Sequence, residues 1–158
     1  MPDIPGVRQR WGRDLLHCPY CHGWEVRDRA IVIIATGPTG VHQAMLFRQL
    51  SPDVTLVLHS GPQPTIVERE RLASRSVRIV DGPVDGPVID DDRVTGVRLV
   101  GGEVIAADAV VVAPRFVARS EVLASLGLER VEHPMGIGNH LPADGFGATG
   151  VPGVWVAG

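Results

Sequence analysis

Six apolar residues, Ala30-Ile31-Val32-Ile33-Ile34-Ala35, run directly into a turn of small residues, Thr36-Gly37-Pro38-Thr39-Gly40. An unbroken apolar run of this length offers no polar face to water, so it predicts a strand covered on both sides, as in a parallel sheet. Beyond the turn, Val41, Ala44, Met45 and Phe47 to Leu50 recur at helical spacing until Ser51-Pro52-Asp53, and Val54 to His59 is a second run of the buried type. Strand, helix and strand within about 30 residues have the length of one right-handed parallel crossover. The fold class is therefore α/β.

Further along, Thr65 to Ser74 predicts a short helix and Val77 to Val80 a third strand. Val84 to Ile89, Val94 to Leu99 and Glu103 to Ala106 read as a β-meander, turning at Asp90-Asp91-Asp92 and Gly101-Gly102. Ala109 to Ala113 returns to the parallel sheet, and Pro114-Arg115 ends it. Ser120 to Gly127 predicts another short helix, and Val151 to Gly158 a closing strand. Met1 to Arg29 has no sustained period and reads as a lead-in that packs against something else. The expected division is a lead-in at 1–29, a nucleotide domain at 30–114 and a remainder at 115–158.

Composition narrows the chemistry. The 158 residues, 44% hydrophobic and 21% charged, suit one globular domain with a small appendage. All 15 basic residues are arginine, which removes mechanisms built on a lysine Schiff base or a phosphate-loop lysine. A net charge of -3 with scattered arginines gives no nucleic-acid footprint. No apolar run nears the ~20 residues of a membrane span, and Met1 to Gly6 lacks the pattern of a signal peptide, so a cytoplasmic protein is expected.

A dinucleotide fold needs a tight turn between its first strand and helix, so that backbone N–H groups meet the pyrophosphate unobstructed. Thr36, Gly37, Pro38, Thr39 and Gly40 supply it, with Ala35 replacing the first glycine, and they are the candidate nucleotide-binding residues. The second strand ends in His59-Ser60, candidates for the ribose side, where NAD calls for an acid and NADP for arginine. Neither is present, so NAD or NADP stays open; the missing acid leans toward NADP.

His17-Cys18-Pro19-Tyr20-Cys21-His22 places two thiols across a four-residue turn, the spacing of dithiol redox chemistry. The same letters spell a c-type haem attachment site, for which a cytoplasmic α/β domain is a poor host. A zinc ion would need two more ligands, and His17 and His22 adjoin the cysteines too closely to wrap one ion. Glutaredoxins share Cys-Pro-Tyr-Cys, but they require a strand before the pair and a long helix after it. Asp90 to Asp92 reads as a solvated turn, and His42, His133 and His140 are assigned no role.

In chain order, Pro2-Asp3-Ile4-Pro5-Gly6, Cys18 to Glu25, the turn Thr36 to Gly40 and the ending Gly150-Val151-Pro152-Gly153-Val154-Trp155-Val156-Ala157-Gly158 resemble bacterial low-molecular-weight thioredoxin reductases. The resemblance covers the whole chain. It implies a Rossmann-like sheet with a meander, flanked at both ends by remnants of a flavin domain. It also implies an electron path from NAD(P)H to FAD to a Cys18–Cys21 disulfide and on to a substrate disulfide, carried by a thioredoxin-like protein or a small dithiol. By position Cys21 would face the flavin, Cys18 would exchange with substrate, and Gly158 would lie beside FAD.

Three departures qualify that expectation. His22 stands where the family has an aspartate proton donor, and an imidazole can do the same work near neutrality. With that histidine, Cys-X-X-Cys-His is similar to the motif of dithiol oxidases acting on small natural products, which makes such an oxidase the alternative. The arginines typical of the family after the second nucleotide strand are also missing, which departs from an NADP site. The family's own flavin Gly-rich fold, ahead of the cysteines, has no counterpart here, so the chain looks like the middle of a flavoprotein about twice its length. Little reductase activity is expected of it alone, and a non-catalytic, redox-sensing nucleotide module remains a further reading. A homodimer covering the apolar stretches Val110 to Ala113 and Val154 to Ala157 is also expected as a possibility of the sequence.

Overall fold

The structure is a computed structural model that describes residues 1–157. Two compact units divide it, Met1–Ala113 and the residues from Pro114 onward.

In the first unit, five parallel strands form one sheet: β1 (Leu15–Leu16), β2 (Ile31–Ile34), β3 (Val54–Leu58), β4 (Arg78–Asp81) and, after three other strands, β8 (Ala109–Val112). Their spatial order is β1-β8-β2-β3-β4. The chain moves from β2 outward to β3 and β4, then returns to the other side of β2, so the order reverses at β2. Dinucleotide folds bind their ligand at such a reversal, at the carboxyl ends of the strands.

The two-sided burial expected for β2 follows from the period of two in a strand. Ile31 and Ile33 face one core together with Leu56, Leu58, Val111 and the helix residues Ala44, Phe47 and Leu72. Val32 and Ile34 face the other, with Val57, Val110 and Val112, against Val84, Val94, Val97, Leu99 and Ile105. One face is thus covered by α2 (Gly40–Phe47) and α3 (Ile66–Ser74), the other by the antiparallel meander β5 (Val84–Asp90), β6 (Arg93–Leu99) and β7 (Val104–Ala106). Thr65 caps α3 by a reciprocal capping box with Glu68. The β5–β6 hairpin closes on Asp91 and Asp92, both at positive φ, the geometry of a two-residue primed turn.

Several elements differ from the sequence expectation. The lead-in contributes β1 and the residues Ile4, Val7 and Leu15 to the core beneath the meander. It is pinned there by Arg10, which is buried and reaches Asp14 and the side chain and carbonyl of Asp92. Because β1 pairs with β8, Val110, Val111 and Val112 are fully buried within this unit.

In the second unit, Glu121–Leu126 is a 3₁₀ helix ended by Gly127 in the left-handed region, and β9 (Val131–Glu132) pairs antiparallel with β10 (Asn139–His140). The strand expected at Val151 to Gly158 is not formed over its described residues, Val151 to Ala157. Val154 N–H bonds back to Val151 and Val156 N–H to Gly147, so this stretch folds on itself around Pro152-Gly153, and only Trp155 makes a bridge, to Ala148.

Candidate functional site

The glycine turn leaves the carboxyl end of β2 and enters α2 at Thr39, which makes no side-chain cap. The first N–H groups of α2 are thus left for a ligand, as the pyrophosphate role requires. Each glycine answers a different demand. A Cβ on Gly40 would stand 2.5 Å from Ala35 Cβ, so glycine is what lets helix and strand pack closely. A Cβ on Gly37 would meet no atom within 4 Å, which leaves the approach to the turn open. A Cβ on Gly61, from the loop after β3, would stand 3.0 to 3.1 Å from Ala35 and from the carbonyl of Gly37, a tight contact, and the Gly61 N–H bonds the Ala35 carbonyl at 2.9 Å. A small cleft lined by Gly37, Pro38, Gly40, Leu58, Gln63 and Glu68 opens here. The residues present fit the pyrophosphate half of a pyridine nucleotide.

The cysteines follow β1, at the same carboxyl edge of the sheet. Cys18 is the N-cap and Pro19 the first residue of α1 (Pro19–His22), a position suited to proline because its missing N–H would be unpaired there. Gly23 ends the turn under tight constraint, for a Cβ there would lie 2.3 Å from Pro19 O and from Leu50. Cys18 is half-buried and Cys21 exposed, both as free thiols. Cys21 S–H donates to Cys18, and with the N–H groups of Cys21 and Tyr20 this lowers the Cys18 pKa despite the opposing effect of burial. The same contact pushes the Cys21 thiol up. Cys18 is thus the readier thiolate of the two. His22 is exposed at the last position of α1.

Thr36 to Gly40 and Cys18 to His22 therefore come to one edge of one sheet in one compact unit. His59 serves differently: its Nδ1 accepts the Val84 N–H at 2.8 Å, while Ser60 N–H bonds Ala35 O at 3.1 Å. Gly158 lies outside the described residues. Sequence reasoning passed over Gln43, a buried α2 residue whose amide lies 3.4 Å from the ring and carbonyl of His17, next to Cys18. A polar residue on the buried side of α2 was the available signal. Glu68 was passed over too, because only the fold carries the start of α3 to the cleft beside the glycine turn.

FAD needs a second strand–turn–helix unit of its own. A literal Gly-X-Gly-X-X-Gly does occur, from Gly145 to Gly150, but Asp144 Oδ1 gathers the N–H groups of Phe146 and Ala148 into a closed loop that, among the described residues, neither continues directly from a strand nor leads into a helix. The described residues do not by themselves fit a flavin dinucleotide.

Comparison with known proteins agrees with this geometry. The structure of HlmI matches at TM-score 0.85 and 44% identity, covering 100% of this chain and 48% of that one. An oxidoreductase from Agrobacterium tumefaciens matches at TM-score 0.83 and 28% identity, over 98% of this chain and 50% of its own. Thioredoxin reductase tcpT of Claviceps purpurea is 31% identical over 78% of this chain and 35% of its own length. The chain spans about a third of that curated relative and about half of the two solved structures. The family model described as pyridine nucleotide-disulphide oxidoreductase matches residues 1–158, and this chain belongs to that family.

Proposed function

We propose that this chain is the nucleotide-binding and dithiol-bearing part of an NAD(P)H-dependent, FAD-linked disulfide oxidoreductase of the cytoplasm. The observation that carries the reading is the convergence of the glycine turn and the Cys18–Cys21 pair on the carboxyl edge of one parallel sheet. In the dithiol state, the Cys18 thiolate attacks a substrate disulfide, forming a mixed disulfide and releasing one substrate thiolate. Cys21 then attacks the Cys18 sulfur, which releases the second substrate thiolate and closes the Cys18–Cys21 disulfide. His22, beside Cys21, donates the proton that the departing thiolate takes up. When bound, FAD supplies the two-electron link between nucleotide and cysteines.

The test is stoichiometric exchange. The pre-reduced chain should reduce one equivalent of an aromatic model disulfide, and Cys18→Ser should abolish the fast phase; equal rates for the two proteins would overturn the assignment. Sustained turnover with NADPH and added FAD is not expected from this chain alone.

A second reading, oxidation of a small dithiol, draws on the surroundings of the pair. Tyr20 is 85% exposed and Trp24 68% exposed, and the Arg27 guanidinium lies over the Trp24 ring, 4.0 Å from its centre. Aromatic faces beside an exposed dithiol suit a flat organic substrate. Faster reduction of the oxidised chain by a small aromatic dithiol than by reduced thioredoxin would favour this reading.

A further inference from the structure

We propose that Glu68 sets the nucleotide specificity of the cleft and makes it take NADH in preference to NADPH, an inference that rests on the nucleotide-site reading above. The cleft is lined by Gly37 and Gly40 of the glycine turn, by Leu58 at the end of β3, and by Gln63 and Glu68 from the loop and helix that follow. In a dinucleotide fold the adenosine ribose lies between the phosphate turn and the end of the second strand, where an acid accepts from its hydroxyls. Here β3 ends in His59, whose Nδ1 is taken by Val84, and in Ser60. No acid comes from that strand end, and the carboxylate is brought instead by the first turn of α3.

Glu68 is held in place for this. Its Oε2 accepts both the N–H and the O–H of Thr65, each at 2.8 Å, and these bonds lower its pKa and keep it anionic. Its Oε1 makes no hydrogen bond among the described residues and is left to accept from a ribose diol. Of the cations near it, Arg69 is engaged by other groups and Arg71 is exposed to solvent. Arg69 donates to Gln63 Oε1 and to Pro64 O, and Gln63 in turn donates to Asp81 at 2.7 Å. Arg71 is exposed one turn further along α3, within range to lower the Glu68 pKa slightly but with no hydrogen bond to it. A 2′-hydroxyl in this cleft would donate to Glu68, whereas a 2′-phosphate would bring a second anion against it.

Calorimetric titration of the whole chain with NADH and with NADPH tests the proposal. NADH should bind about tenfold or more tightly than NADPH, as expected when one partner is hydrogen-bonded and the other repelled. Raising the salt concentration should narrow the gap by improving NADPH binding. Glu68→Gln, which preserves the capping box because glutamine also serves at that position, should bring the two affinities within about threefold. Equal or tighter NADPH binding, or a ratio unmoved by Glu68→Gln, overturns the proposal and leaves the nucleotide site standing. Binding of neither nucleotide overturns both.

Discussion

His59 Nδ1 accepts the backbone N–H of Val84 at 2.8 Å, tying the loop that leaves β3 to the first residue of the meander. Burial lowers the His59 pKa below its ordinary 6.5, and the bond requires the neutral ring. The neutral form is favoured by folding, so this contribution is complete above pH 6.5 and is lost as the pH falls below it toward the folded-state value. Thermal melts should show a stability loss beginning near that pH. His59→Phe should flatten it and cost about 1–3 kcal/mol, the usual penalty for a buried donor left unpaired.

Cys18 should be alkylated ahead of Cys21 at neutral pH although Cys21 is the more exposed. Mass mapping after brief iodoacetamide treatment checks this, because thiolate fraction rather than access sets the rate. Removing the S–H donor with Cys21→Ala should slow Cys18 modification several-fold and move its pH midpoint upward. Faster labelling of Cys21 in the native chain would contradict the assignment of Cys18 as nucleophile.

The two glycines of the nucleotide turn should separate stability from binding. Gly37→Ala adds a methyl in open space and should leave the melting temperature nearly unchanged while weakening NAD(P)H binding. Gly40→Val forces branched bulk into the 2.5 Å contact with Ala35 and should lower the melting temperature as well, by roughly 1–3 kcal/mol of overpacking. Equal melting temperatures for the two variants would count against this division.

Asp14 ties the lead-in to the meander by accepting from Arg10 and, at 2.9 Å, from the Val94 N–H. Burial raises its pKa, but Arg10 and the Val94 N–H outweigh that and hold it below the usual carboxylate range. The stability it contributes is present above about pH 4, the ordinary aspartate value, and is lost as the pH falls through the lower folded value. Asp14→Asn should lower the melting temperature at pH 7 and remove that part of the acid transition.

Much of the first unit was legible before any coordinates. The runs Ile31–Ile34 and Val54–Leu58 are apolar on both faces, and a helix on one side with a meander on the other is what such strands require. The helix expected at Thr65 to Ser74 and the aspartate hairpin turn were similarly local, because each is decided by residues a few positions apart. The glycine turn could be read because strand and helix flank it; the literal glycine motif from Gly145 to Gly150 has no such context and forms a loop.

What the sequence by itself determined is the α/β class, the two-sided strands and the close spacing of Cys18 and Cys21 on one short turn, all carried by short-range patterns. Only the tertiary structure decided that Leu15–Leu16 joins the sheet beside β8, that Val151 to Ala157 pairs back on Gly147 to Thr149, that His59 braces the meander and that Glu68 lines the cleft beside the glycine turn. Two leucines, one imidazole and one carboxylate carry no periodic signal, and the partners lie on β8 for the leucines and 25 residues away for His59, while the tail is turned by local bonds to Gly147 and Ala148 that replace the expected strand. Their roles are set by which surfaces meet when the sheet assembles.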